Sequence, residues 1–122
     1  MNALTDLTEL THALRRFRDE RNWAQFHTIK DLLISLNLEA AELLELSQWK
    51  SEAALAAFLE TESGKKAFSD ECADVFLYLL LIADKTGIDL VEAAKNKMQT
   101  NAQKYPADKC FGSARKYDKN SN

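Results

Sequence analysis

Residues 71–83 read ECADVFLYLLLIA, and this stretch decides the fold. Apart from its few polar residues it is apolar around the whole circumference of a helix, which is typical of a buried helix. Glycine occurs only three times and proline once in the 122 residues. Helix-breaking residues are therefore scarce and strand patterns are hard to find, so the sequence predicts an all-α fold, a bundle of four to five helices.

Apolar spacing and capping residues predict five helices, over residues 5–21, 28–46, 52–60, 65–86 and 89–105. Thr28, Ser51 and Asp89 are expected to cap the starts of the second, third and fifth helices. Gly87 is expected to end the fourth helix, and Pro106 ends the fifth because it disfavours helical conformation in the residue before it.

Charge is distributed unevenly along the chain. Residues 95–119 contain seven basic and two acidic residues, whereas the rest of the chain contains 9 basic and 17 acidic residues. An acidic body with a basic C-terminal segment fits a metal on one side and phosphates on the other, although a solvated tail has the same composition. We expect residues 1–106 to form one helical domain and residues 107–122 a basic extended tail.

Several classes of protein do not fit the composition. No stretch of 18 apolar residues occurs, and the N-terminus lacks the basic and apolar regions of a secretory signal, so a cytoplasmic location and no membrane partner are expected. Cys72 and Cys110 are too few for a disulfide framework or a thiolate zinc site. A net charge of −3 does not favour binding to DNA or RNA polymers.

Polar residues interrupt the apolar helix at regular steps. Glu71, Asp74 and Tyr78 recur at spacings of three and four, so they share one stripe of a helix that has no other polar face. Burying an ionised carboxylate without compensation costs several kcal/mol. Asp74 is therefore expected to be paired with a cation, protonated or bound to a metal.

A second acidic group lies on the second predicted helix. Glu39 is at the edge of its apolar face, Glu42 follows one turn later, and Glu45 points towards the opposite side. Four carboxylates from two helices would form an oxygen-rich site for a hard cation, and magnesium takes its remaining ligands from water and phosphates. Pairing of the glutamates with lysine or arginine is the alternative.

A di-iron site is another interpretation of the acidic residues, because Glu9-x-x-His12 matches one copy of the Glu-x-x-His element of di-iron bundles. Such sites need two copies, and His27 has no glutamate three residues before it. A di-iron site is therefore not expected.

The pattern Glu39-x-x-Glu42, a spacer and Glu71-x-x-Asp74 resembles the signature of the MazG-like all-α nucleoside triphosphate pyrophosphohydrolases. Four further segments resemble the dCTP pyrophosphatase branch of that family: WAQFH at 23–27, QWK at 48–50, KMQTN at 97–101 and KYP at 104–106. Asn22 departs from the pattern, since an acidic residue is expected there.

The resemblance implies hydrolysis of a dNTP, with dCTP or a related nucleotide favoured, to dNMP and pyrophosphate. It implies Mg²⁺, or Mn²⁺, held by four ligands, which are Glu39, Glu42, Glu71 and Asp74. Glu39, Glu42 and Glu45 are candidates for the base that activates water, and the sequence does not choose among them. A dUTPase-like or broad NTP activity, or a non-catalytic oligomer that binds nucleotides or a protein partner, are the alternatives.

The resemblance also implies a substrate pocket and an assembly. Pyrophosphate would be bound by basic residues of the C-terminal segment, which are Lys97, Lys104, Arg115 and Lys116. Base and sugar would contact Asn101 and a group of aromatic side chains, which are Trp23, Phe26, His27, Trp49 and Tyr78. A homodimer or a tetramer of paired dimers is implied, and a buried fourth helix would require such a partner for cover.

Overall fold

The computed structural model describes residues 6–116, and no strand occurs in that range. The all-α prediction is confirmed. The helices are, in chain order, α1 (Leu7–Glu20), α2 (Ile29–Glu45), α3 (Glu52–Leu59), α4 (Glu62–Thr86), α5 (Leu90–Lys104) and α6 (Ala107–Cys110). One turn of 3-10 helix, Ala24–Phe26, connects α1 to α2.

Most helix ends follow the predicted caps. The side chains of Thr28, Ser51 and Asp89 each accept a hydrogen bond from the backbone N–H three residues later, at 3.1, 3.1 and 3.0 Å. Gly87 ends α4 in the left-handed conformation, with φ 72°, and donates its N–H to the carbonyl of Ala83. Capping partners lie within one turn of each other, which is why they can be predicted from the sequence.

The start of α4 differs from the prediction. Thr61, not a residue near 65, caps the helix, and its hydroxyl accepts a hydrogen bond from the N–H of Gly64 at 3.0 Å. A Cβ on Gly64 would lie 1.9 Å from the carbonyl oxygen of Phe58. The absence of a side chain at Gly64 therefore allows the end of α3 to approach the first turn of α4. For this reason α4 includes Gly64, although glycine otherwise disfavours helices.

The chain after Pro106 also differs from the expected extended tail. The N–H groups of Lys109 and Cys110 both donate to the carbonyl of Pro106 at 3.0 Å, which closes the single turn of α6. These local bonds satisfy backbone groups that an extended chain would leave to water. Thr5 and residues 117–122 of the predicted elements lie outside the described residues.

The first compact unit ends at Gly87, and within it α1, α2 and α3 all pack against α4. Its buried core, among the described residues, consists of Leu32 on α2 and of Leu80, Leu81 and Ala83 on α4. The single chain leaves part of α4 exposed, since Phe76 and Leu79 are 38% and 37% exposed, and cover by a partner subunit stays a prediction. Three short neighbours cover only part of a 25-residue helix.

The second compact unit begins at Ile88 and contains α5 and α6. Along α5, Val91 and Met98 are exposed apolar residues, at 45% and 72%. None of the helices within residues 6–116 has the length and apolar character that crossing a membrane requires.

Candidate functional site

Three of the predicted carboxylates converge in the first unit. Glu39 and Glu42 of α2 and Glu71 of α4 each offer an oxygen, and these three oxygens lie within 4.8 Å of one another. We call these residues the carboxylate cluster. The two helices run antiparallel. Burial and the charge of Lys85, near the end of α4, lower the pKa of His27, which precedes α2, whereas Glu39, further along α2, lies beside Glu71, earlier in α4.

The carboxylate cluster is partly withdrawn from solvent. Glu39 and Glu71 are half-buried and Glu42 is exposed. One oxygen of Glu39 and one of Glu71, both named Oε2, are buried without a hydrogen-bond partner. None of the ion pairs between the described residues involves a member of the cluster. The alternative of pairing with lysine or arginine therefore finds no support within residues 6–116.

Burial and mutual repulsion perturb the titration of the cluster. Burial, followed by the hydrogen bond and charge of Glu42 and the charges of Asp74 and Glu71, raises the pKa of Glu39 from 4.5 to about 7. Burial and then Glu42 likewise raise the pKa of Glu71. In both residues burial raises the pKa more than repulsion by the neighbouring carboxylates does. A cation in the cluster would reverse both shifts.

The donor set and its unpartnered oxygens fit a hard divalent cation. All three donors are carboxylate oxygens, which suit magnesium, calcium or manganese rather than a soft metal. Two buried oxygens without partners are costly unless a cation or a proton compensates them. The arrangement can therefore bind a cation that is itself able to bind phosphate oxygens.

Asp74 and Glu45 lie outside the three-residue cluster. Asp74 is exposed in this chain, which corrects the expectation of a buried charge, but its charge still raises the pKa of Glu39 and Glu71. Asp74 is not one of the three residues whose oxygens converge, and its assignment as a metal ligand stays a prediction. Glu45, the last residue of α2, is exposed.

An aromatic segment, Trp23–His27, precedes α2. Trp23 and Phe26 are 45% and 63% exposed, and His27 is half-buried with a buried Nδ1 that has no hydrogen-bond partner. Burial, followed by the positive charges of Arg18 and Lys85, lowers the pKa of His27. The imidazole is therefore neutral near pH 7, with one donor and one acceptor nitrogen.

Two further aromatic candidates differ in exposure. Tyr78 on α4 is half-buried, whereas Trp49 is 94% exposed. Trp49 also has φ 63°, a left-handed conformation that is uncommon for a residue of its size and that the sequence analysis did not anticipate. Lys50 anchors this turn, because its Nζ donates to the carbonyl of Leu46 at 2.9 Å and lies 4.9 Å from the ring centroid of Phe58.

The remaining candidates belong to the second unit. Lys97 and Asn101 are exposed on α5, one turn apart, and Lys104 ends that helix. Arg115 and Lys116 follow α6 and are exposed. Their assignment to pyrophosphate and nucleotide stays a prediction.

Sequence reasoning missed one polar group at the end of α4. Asp84 accepts hydrogen bonds from the Nε of Arg15 at 2.7 Å and from the NH1 of Arg18 at 3.5 Å. The available signal was a charged residue directly after the apolar run, with arginines one helical turn apart on α1.

Comparisons with known proteins agree with this architecture. A model of the MazG-like family matches residues 34–119. The chain is 41% identical over 114 residues to rat dCTP pyrophosphatase 1 and 38% identical over 114 residues to the human protein, covering 93% of this chain in both cases. It spans 65% of the length of these two relatives.

A solved structure is similar as well. The crystal structure of a pyrophosphatase from Archaeoglobus fulgidus matches with a TM-score of 0.77 and 44% identity, and the match covers 82% of this chain and 92% of that one. The matched family model covers most of the chain, including the cluster on α2 and α4. This chain therefore belongs to the MazG-like family.

Proposed function

We propose that this protein is a magnesium-dependent dNTP pyrophosphohydrolase that converts dCTP or a related nucleotide to dNMP and pyrophosphate. The carboxylate cluster carries the proposal, because two half-buried carboxylates from different helices each keep a buried oxygen without a partner. Relatives named dCTP pyrophosphatase 1 and a similar structure named pyrophosphatase support the substrate class.

Glu39, Glu42 and Glu71, joined by the nearby Asp74, would hold the ion. When bound, magnesium offsets charge on the phosphates and polarises the α-phosphorus. The chain itself supplies a base, since a carboxylate of α2 can accept a proton from the attacking water. As the new P–O bond forms, the bond between the α-phosphorus and the bridging oxygen breaks, and pyrophosphate leaves.

Three glutamates of α2 are candidates for that base. The pKa of Glu39 is about 7 without a cation, and Glu42 shares a hydrogen bond with it. Glu45 is exposed outside the cluster and would act from the outer shell. The variant Glu45→Gln tests whether Glu45 is the base. If it is, the rate of hydrolysis falls while the inner metal ligands remain intact.

The base and sugar would bind to Trp23, Phe26 and His27, with Trp49 and Tyr78 as further candidates. About 15 Å of helix rise separates Ile29, the first residue of α2 and two residues after this segment, from Glu39. Partial exposure leaves the rings of Trp23 and Phe26 able to stack on a nucleobase. The second unit contains the candidates for the phosphates and the nucleotide edge, which are Lys97, Asn101, Lys104, Arg115 and Lys116.

We also propose that the chain works as a homo-oligomer, a dimer or a tetramer of paired dimers. Phe76 and Leu79 on α4 and Leu38 and Leu44 on α2 are at least 37% exposed, and solvent-exposed apolar rows on adjacent helices favour a protein partner. Sedimentation at several concentrations tests this proposal, and a monomer at all of them would refute it.

A substrate panel tests the activity. The protein is incubated with each canonical dNTP, dUTP and 5-substituted dCTP analogues, with Mg²⁺ or with EDTA, and pyrophosphate is measured. Mg²⁺-dependent release, fastest from dCTP or an analogue, is expected. Preference for dUTP would replace the dCTP assignment by a dUTPase-like one, and no release from any nucleotide would refute the enzyme.

A further inference from the structure

The end of α1 holds the aromatic segment through contacts that the metal chemistry does not use. We infer that Arg18, Asn22 and Asp84 are positioning residues for nucleotide recognition, because together they fix the aromatic segment to α4. The inference rests on the proposed function in one respect, namely the assignment of Trp23 and His27 to the base and sugar.

Asn22 sets the direction in which the chain leaves α1. It has φ 54°, its N–H donates to the carbonyl of Asp19 at 3.1 Å, and the N–H of Trp23 donates to the carbonyl of Arg18 at 3.0 Å. This pair of bonds is a Schellman motif, whose left-handed residue is usually glycine and sometimes asparagine. Asparagine at position 22 therefore suits the turn, where the family pattern led us to expect an acidic residue.

The motif returns Trp23 onto the helix it has just left. The rings of Phe17 and Trp23 meet edge to face, with centroids 5.7 Å apart and planes at 70°. The guanidinium of Arg21 lies 3.6 Å from the centroid of Phe17 and 5.9 Å from that of Trp23. These contacts fix the indole, yet 45% of Trp23 stays exposed and available to a ligand.

Arg18 connects this turn to α4. Its carbonyl accepts the N–H of Trp23, and its guanidinium donates to Asp84. The side chains of Arg18 and Asp84 are only 19% and 14% exposed, and Arg15 also donates to Asp84. The Nε of Arg18 also donates to Asp19 at 2.8 Å, within α1, so Asp84 is the carboxylate that joins Arg18 to α4.

Asp84 is remote from the proposed metal ligands. About 20 Å of helix rise separates it from Glu71 on the same helix. Loss of Asp84 should therefore loosen the aromatic segment without changing the carboxylate cluster. Nucleotide affinity and metal binding become separable measurements.

The test compares Asp84→Asn with the unchanged protein. KM for dCTP should rise by about tenfold with kcat nearly constant, because recognition is weakened and the chemistry is not. The thermal shift caused by Mg²⁺ should not change. In a Trp49→Phe background Trp23 is the only tryptophan, and acrylamide should quench its fluorescence more strongly once Asp84 is replaced.

Two matched variants serve as controls. Lys66→Gln breaks the exposed Lys66–Asp70 ion pair of the same helix and should leave KM and quenching unchanged. Asp84→Glu retains the charge and should recover most of the loss. Substitutions at the exposed position 22 test the same inference without removing a buried charge. Asn22→Val should raise KM, because valine disfavours a positive φ, whereas Asn22→Gly should not.

Unchanged quenching and unchanged KM in both Asp84→Asn and Asn22→Val would overturn the inference. The inference would also be overturned if these variants lost both kcat and the thermal shift caused by Mg²⁺, because that result would indicate general structural damage. If the unchanged protein releases no pyrophosphate, the proposed function fails, and quenching of Trp23 still decides whether Asp84 and Asn22 position the segment.

Discussion

The carboxylate cluster and the aromatic segment lie in the same unit but are built in different ways. Glu39, Glu42 and Glu71 are placed by regular helices, where spacing along the sequence determines which residues share a face. The aromatic segment depends on one left-handed residue and on an ion pair between Arg18 and Asp84, 66 positions apart. Regular geometry thus places the proposed chemistry, and an irregular turn with a long-range contact places the proposed recognition.

The largest expected effect comes from the cluster. Glu71→Gln retains the size of the side chain and removes its charge, so the metal should bind weakly and kcat/KM for dCTP should fall about a thousandfold. Steady-state pyrophosphate release measures this loss. A rise in KM alone should not account for this fall, and kcat should decrease as well, because the chemical step is affected.

The adjacent residue provides the control for that variant. Asp70→Asn removes the same charge one position earlier, where Asp70 forms an exposed ion pair with Lys66 at 3.0 Å. Its kcat/KM should stay within about twofold of the original, as is usual for exposed ion pairs. Equal losses in both variants would show that overall negative charge matters and that the cluster does not.

The cluster should also make stability depend on pH and magnesium. The pKa of Glu39 is raised to about 7, so the folded, metal-free protein retains a proton that the unfolded chain loses near 4.5. That contribution to stability is present below pH 4.5 and is lost as pH rises through 7. In EDTA, the midpoint temperature of unfolding should therefore decrease as the pH is raised from 5 to 8.

Magnesium should restore stability at pH 8, where the carboxylates are ionised. At a hundred times its Kd, a ligand that binds only the folded state adds about 2.7 kcal/mol. Differential scanning calorimetry at both pH values, with Mg²⁺ or EDTA, measures both effects. Glu39→Gln should remove most of the pH dependence and the Mg²⁺ shift, and retention of both would rule out Glu39 as the titrating group.

The two regions also differ in how far the sequence predicts them. Spacing of three and four predicts the faces of Glu39, Glu42 and Glu71, and capping residues such as Thr28 predict helix ends, because these relations extend over one turn. Asp74 is exposed in the single chain, and its predicted burial would require further neighbours around α4, which helical periodicity does not specify.

The Arg18–Asp84 ion pair was not predicted for a related reason. A charged residue after an apolar run signals a need for compensation, but the sequence contains five arginines and does not say which one packs nearby. The left-handed φ of Asn22 and of Trp49 is accompanied by hydrogen bonds within the same turn, but neither residue is the glycine that usually marks such a position. The ion pair is decided by a tertiary contact, and the two left-handed residues lack the usual sequence signal.

A smaller effect should separate recognition from chemistry. Trp23→Ala removes a half-exposed ring on which a base can stack, and such stacking contributes about 1–3 kcal/mol per base. KM for dCTP should rise with little change in kcat, as measured by initial rates over a range of concentrations. Phe111→Ala, which removes a 94% exposed ring from the second unit, should change neither value.

The smallest effect is expected where the two regions meet. Thr28 follows the aromatic segment and caps α2, whose later turns carry Glu39 and Glu42, and its hydroxyl accepts the N–H of Asp31 at 3.1 Å. Thr28→Ala should lower stability by about 1 kcal/mol, measured by thermal or urea unfolding, while Thr28→Ser retains it. Packing of α2 on α4 remains, so kcat and KM should change by no more than about twofold. A loss of kcat as large as that of Glu71→Gln would mean that the turn also sets the geometry of the cluster, and the division between chemistry and recognition would not hold.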